Sequence, residues 1–200
     1  IQSLMLGSAC GVLISPVHAE CLHALTLARE IGIAERLVVA VGIAESLPLG
    51  TSTIQAIMVA GSMHHFDVSR AMQEVSRVLD VTGRYAAAEP WRSPGYATGI
   101  RVLGKRERDV DCRPLDENRM TGWDRFFESA LIVHHGALTR YALLALHKAR
   151  VPIPSLVARW VMRIDDALSG RLGLRRFGSS VACLASKPLT GPPQAATTSR

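Results

Sequence analysis

The sequence predicts an α/β protein: an open, three-layer sheet of mostly parallel strands, with a helical insert before a C-terminal antiparallel hairpin. Three observations carry that expectation. Short β-branched runs alternate with helix-period segments through the first ninety residues. The runs are apolar at consecutive rather than alternate positions, as in strands covered on both faces. Beyond residue 90 the periodicity turns helical and ends in two short apolar runs around a Gly-Ser turn,.

Taken in order, residues 8–14 (SACGVLI) read as the first strand. Ser15 and Pro16 then supply an N-cap and a first helical residue, and the helix runs to Gly32, a C′ stop. LVVAV at 37–41 and IQAIMVA at 54–60 read as buried strands. After Asp67, the offsets of Ala71, Met72, Val75, Val78 and Leu79 place one apolar face on a helix. Gly83 ends it, and RYAAA at 84–88 is a strand stopped by Glu89-Pro90. Residues 91–121 read as charged loop. Helices follow at 137–148 and 154–168, the second with Leu156, Val157, Trp160, Val161, Ile164 and Leu168 on one stripe. Residues 174–177 and 180–185 flank Gly178-Ser179 as a hairpin. The expected organisation is a core at 1–90, an insert at 91–170, a strand pair within 171–187 and a disordered tail at 188–200.

Composition narrows the function. Two hundred residues with 48% apolar and 20% charged side chains make a globular chain of one domain. Aromatics at 5% argue against a base-stacking, nucleic-acid-binding surface. Every apolar run is too short to span a bilayer. Cys10, Cys21, Cys112 and Cys183 are scattered, which suits neither a zinc site nor a disulfide framework and points to a reducing cytoplasm. No signal peptide opens the sequence, and a start at Ile1 rather than Met is expected from processing or a fragment. The net charge of +6 is uneven: residues 1–90 hold five Arg and eight acids, whereas 91–176 hold sixteen Lys/Arg and nine acids. Such a split marks two zones.

GVLISP before a helix, then VGIAESLPL, then IMVAGSMHHF, then a helix ending RVLDVTGRYAAAEP form an ordered set. This set resembles the class I S-adenosylmethionine-dependent methyltransferases, in their small-molecule branch. The resemblance implies a Rossmann-like sheet of order 3-2-1-4-5-7-6, with S-adenosylmethionine over the carboxyl ends of its first four strands and a small-molecule acceptor beside it. Segments 8–14, 37–41, 54–60 and 84–88 would be strands two to five, and the closing hairpin strands six and seven. Residues 1–6 leave no room for strand one and its glycine loop, because a parallel neighbour needs a crossover of about a dozen residues. The sequence therefore reads as N-terminally incomplete relative to the family.

The resemblance implies cofactor positions at Leu13, Ile43, Ala44, Ala60 and Gly61. The family carries an acid for the ribose where Leu13 stands, and often Asp facing the adenine where Ile43 stands. Each lost charge-assisted hydrogen bond costs roughly 1.5–3 kcal/mol, so weak cofactor binding is expected, with the Ala44 backbone N–H retained as a contact. His64 and His65 follow strand four, where a base or an acceptor-orienting group belongs; a packed loop pair is the alternative. Glu89, Trp91 and His134 are candidates for the acceptor pocket; the alternatives are a packing anchor for Trp91 and an ordinary cap region before the Ala137 helix for His134-His135. Glu45 reads as a loop acid. No metal site is expected, since adjacent histidines rarely converge on one centre. Two functions stay open: a methyltransferase with 91–170 as its lid, and a non-catalytic relative acting as a partner or binding subunit, with a protein partner or homo-oligomer.

Overall fold

The computed structural model describes residues 2–5, 7–94, 114–137, 139–174 and 177–188. Cys112, most of the loop expected at 91–121 and all of the tail but Pro188 lie outside these residues.

Two sheets form. In the smaller, β1 (Gly11–Ser15) pairs in parallel with β2 (Leu37–Val41). In the larger, β3 (Ile54–Ala60), β4 (Leu79–Pro90), β5 (Phe127–His135) and β6 (Ser180–Pro188) take the order β3-β4-β6-β5. These orders reproduce the 3-2 and 4-5-7-6 portions of the expected sheet. Among the described residues no strand joins the two portions. Gln2–Met5, here α1, is a helical turn rather than a strand, and its Leu4 is buried with Ala28, Ile33 and Leu37.

Local sequence explains the elements. Helix α2 (His18–Glu30) starts two residues later than expected. Ser15 Oγ accepts from the Val17 N–H at 3.1 Å and donates to Glu20 Oε2 at 2.5 Å, so the hydroxyl serves a turn before the helix. Gly32, at φ +72°, ends α2, with Ile33 N–H bonding back to Ala28 O; this left-handed stop suits glycine. Helix α3 (Val68–Val78) begins where Asp67 Oδ1 accepts from the Arg70 N–H, and it buries Val68, Ala71, Met72, Val75 and Val78. Strand β4 opens at Leu79, earlier than expected, with a register shift opposite Ile54/Ala56. Gly83 sits in that irregularity, where a Cβ would lie 2.7 Å from Asp80 O.

Two expectations are corrected. The antiparallel partner of β6 is β5, not residues 174–177. Both edges of β6 are occupied, by β4 and β5, so a hairpin has no free ladder to join; Phe177 N–H instead closes a turn onto Leu174 O. Residues 127–135 thus leave the expected insert for the core, and the segment between β5 and β6 holds α5 (Arg140–Lys148) and α6 (Ser155–Arg171). β1–β2 and β3–β4 are parallel, and both pairings of β6 are antiparallel. Coverage on both faces is also incomplete. Aligned positions Met58, Ala86, Leu184 and Leu131 cross the larger sheet on one face, and Met58, Leu184 and Leu131 are exposed.

The opposite face holds the main core. Tyr85, Trp123 and Phe127 pack at centroid distances of 5.7 to 6.2 Å, and the Tyr85 hydroxyl reaches Met63 Sδ at 3.1 Å. Helix α4 (Glu117–Met120) closes this side through buried Met120.

Candidate functional site

Strands β3, β4 and β5 run in one direction, since β6 is antiparallel to both β4 and β5 and β3 is parallel to β4. Their carboxyl ends therefore share one edge of the sheet. Pro90, Ser180 and His135 align there, and the turn after Ala60 brings residues 61–65 to the same edge. In open α/β sheets this edge is where ligands bind.

Glu89 is the organising residue. Its side chain is fully buried. Oε1 accepts from the N–H groups of Ser62 at 3.0 Å and Met63 at 2.9 Å. Oε2 lies 2.8 Å from His64 Nδ1 and 3.4 Å from the His64 N–H. A carboxylate held by several N–H groups fixes the short 3₁₀ turn Met63–His65,. With Nδ1 donating to Glu89, the other nitrogen, Nε2, is left as the acceptor. His64 is itself buried, whereas His65 is exposed with its ring 4.0 Å from that of His64. Arg119 of α4 reinforces the turn, donating to His64 O at 3.0 Å and to Phe66 O at 2.8 Å.

The wall on the β5 side is aromatic. Trp91 is buried and meets His134 edge-on at 4.6 Å. Next to it, His135 Nδ1 lies 2.8 Å from Asp166 Oδ2, both side chains about one-third exposed. A carboxylate behind a solvent-reachable imidazole is the arrangement of a general base.

The expected cofactor positions fall into two groups. Gly61 (φ +65°) follows exposed Ala60, its N–H bonds to Ala88 O, and a Cβ there would meet nothing within 4 Å. Both residues stand at the edge with His64 and His65. Leu13 packs against the small core under α2. Ile43 is exposed at the end of β2 in a bridge to Ser46, and Ala44 packs against the main core. Loop 42–53 thus ties the small sheet to the large one. Glu45 Oε1 accepts from the Asp67 N–H at 2.7 Å, and Glu74 Oε2 accepts from the Leu47 N–H at 2.8 Å. Arg77 donates to Leu49 O and Leu47 O at 2.9 and 3.1 Å.

Sequence reasoning missed three participants. Arg119 is 55 positions from His64, and Asp166 is 31 from His135, and no local motif links either pair. Glu20 stands in the first turn of α2 with its carboxylate on Ser15 Oγ, at the carboxyl end of β1; the acid two residues after Val17-His18 was the available signal. Among the described residues no cluster of three metal-ligating side chains occurs.

Residues 6–87 match a family model described as a methyltransferase domain. No curated protein sequence matches the chain. A solved geranyl diphosphate methyltransferase in complex with SAM is similar over 93% of this chain and 72% of its own, with TM-score 0.60 and 17% identity. The YcgJ protein of Bacillus subtilis is similar over 90% and 83%, with TM-score 0.58 and 17% identity. The [4+2]-cyclase SpnF is similar over 94% and 71%, with TM-score 0.57 and 20% identity. At these identities the likeness is one of fold, and one fold hosts several chemistries. Residues 6–87 thus resemble a methyltransferase domain, and the described residues share the fold of these solved structures.

Proposed function

We propose that the protein is an S-adenosylmethionine-dependent methyltransferase acting on a small molecule. The observation that carries this reading is a coincidence of place. The carboxyl edge reached by the methyltransferase-domain segment is where Glu89, His64, His65, Trp91, His134 and the His135–Asp166 pair assemble.

The residues fit the adenosine end of the cofactor in part. Exposed Ile43 offers an apolar shelf beside Ala44 and Leu47, and open space beside Gly61 admits a ligand without side-chain obstruction. Glu20, on Ser15 at the end of β1, is an acid for hydroxyl groups that Leu13 cannot replace. When bound, the cofactor supplies an electrophilic methyl group. Everything else is positioning and proton handling. Glu89 holds His64 and the Met63–His65 turn; His65 and His135 are placed to take a proton from an acceptor; Trp91 and His134 wall the acceptor in. Helices α5 and α6 would form the lid. Free thiols at Cys10, Cys21 and Cys183 support a reducing cytoplasm, and no helix among the described residues is long and apolar enough to cross a membrane.

A specific observation favours a second reading, a non-catalytic binding subunit: Leu13 and Ile43 stand where the resembling family has acids. Calorimetric titration with S-adenosylmethionine tests both. The enzyme reading expects a single weak site that Ile43→Asp tightens by roughly ten- to a hundredfold, the gain of one charge-assisted hydrogen bond. No heat from either protein would overturn it and leave the binding-subunit reading.

A further inference from the structure

Between Arg140 and Ile164 the sequence has five Lys/Arg and no acid. Helix α6 begins with an apolar row on its outer side: Leu156 is 60% exposed, Trp160 57% and Ile164 55%. These lie four residues apart and so stand above one another on one face. Arg159 and Arg163, both exposed, flank the row, and the Arg163 guanidinium sits 5.8 Å from the Trp160 ring centre.

The acids of α6 are engaged within the protein. Asp165 is buried; its Oδ2 accepts from the Thr139 N–H at 2.9 Å and the Thr139 hydroxyl at 2.6 Å, and its Oδ1 accepts from Ser169 at 2.9 Å. Asp166 is engaged by His135. Beside the apolar row the exposed charges are Arg159 and Arg163, with exposed Lys148 and Arg150 at the end of α5. Beside the row an open groove of about 370 Å³ runs between α5 and α6, lined by Leu143, Leu146, Ile153, Val157 and Val161.

A helix with an apolar stripe, a tryptophan within it, flanking arginines and acids engaged by the protein itself suits an interface between hydrocarbon and anionic headgroups. We propose that the outer face of α6, with the basic end of α5, docks on an anionic lipid surface. The docking is peripheral, as the helix is amphipathic rather than apolar all round. It does not depend on the methyltransferase reading.

The test uses the full chain and two vesicle preparations: phosphatidylcholine alone, and phosphatidylcholine with about one-third phosphatidylserine. Co-sedimentation is expected with the second preparation and not the first, and it weakens as salt is raised. Tryptophan emission should shift to the blue on binding and report Trp160, because Trp91 and Trp123 are already buried. The double variant R159Q/R163Q is expected to lose roughly thirtyfold in partitioning, from about 1 kcal/mol per charge near the surface. Both side chains are exposed, so its unfolding midpoint should match the parent's. Equal binding to both vesicles, or binding to neither, overturns the proposal. So does a concentration-dependent dimer that Trp160→Ser abolishes, which would assign the face to a second copy.

Discussion

Both sheets contain a parallel pair, yet they reach very different depths of burial. The β1–β2 pair rests on a core of four buried residues, Leu4, Ala28, Ile33 and Leu37. The four-stranded sheet rests on Tyr85, Trp123, Phe127, Met63, Met72 and a dozen further buried neighbours. Pairing geometry therefore does not set the local stability here; the area each ladder removes from water does. The small sheet is held to the large one through the polar loop 42–53 and the Glu74–Arg77 pair more than through apolar packing of its own.

That contrast can be broken most severely from the large side. Phe127→Ala removes a ring that touches Tyr85 and Trp123 and should cost about 3–5 kcal/mol, read as a lower denaturant midpoint with the whole sheet unfolding together. Leu37→Ala in the small core should cost about 2 kcal/mol, the low end for such truncations. It should appear chiefly as faster hydrogen exchange in β1 and β2, with β4 and β6 protection unchanged, because sub-global opening of a thin unit does not require global unfolding. Equal loss of protection in both sheets would show that they form one cooperative unit.

Glu89→Gln sharpens the comparison at the site. The amide can still accept from Ser62 and Met63, but it weakens the hold on His64. A loss of about 1–3 kcal/mol is expected, along with displaced His64 ring resonances by NMR; an unaltered His64 signal would remove Glu89 as its positioning residue.

The smallest effect belongs to the loop that joins the sheets. The Arg77 guanidinium, hydrogen-bonded to Glu74, holds that carboxyl below the usual glutamate range, and the Leu47 N–H adds to this. The folded value is thus below the unfolded one. The contribution is present above the unfolded value and fades as pH falls through the folded one. Glu74→Gln should flatten the acid side of the stability curve, by under about 1 kcal/mol for so accessible a pair. Thiol mapping gives a further contrast: burial, then the nearby Glu89 carboxylate, push the Cys183 thiol up to about 12, so it should resist alkylation in the native protein while exposed Cys10 reacts,.

What the sequence made legible follows the range of the forces. Helix α3 could be read from Asp67 and its apolar spacing, and the end of α2 from Gly32, because caps and periods act over a few residues. Strand β5 could not: Glu128 and Ser129 interrupt its apolar run, and its place depends on a partner some fifty positions away. The histidine pair at 64–65 was visible as a candidate. Which of the two is buried, and that Glu89 serves the protein's own backbone instead of facing outward, depended on the pairing of β3 with β4. The departures at Leu13 and Ile43 were legible as substitutions, whereas Glu20 beside Ser15 required the turn before α2 to be seen.

The placement of β6 between β4 and β5 has a consequence for how the chain is made. Synthesis delivers β3, β4 and β5 well before Ser180–Pro188 leaves the ribosome. Until then β4 lacks its second neighbour and β5 lacks any described one, so a nascent chain halted near residue 179 would present open edges of the kind that pair with other chains. The last described strand is the wedge that locks the sheet, and its emergence, rather than that of the segments before it, is the moment at which the sheet can close.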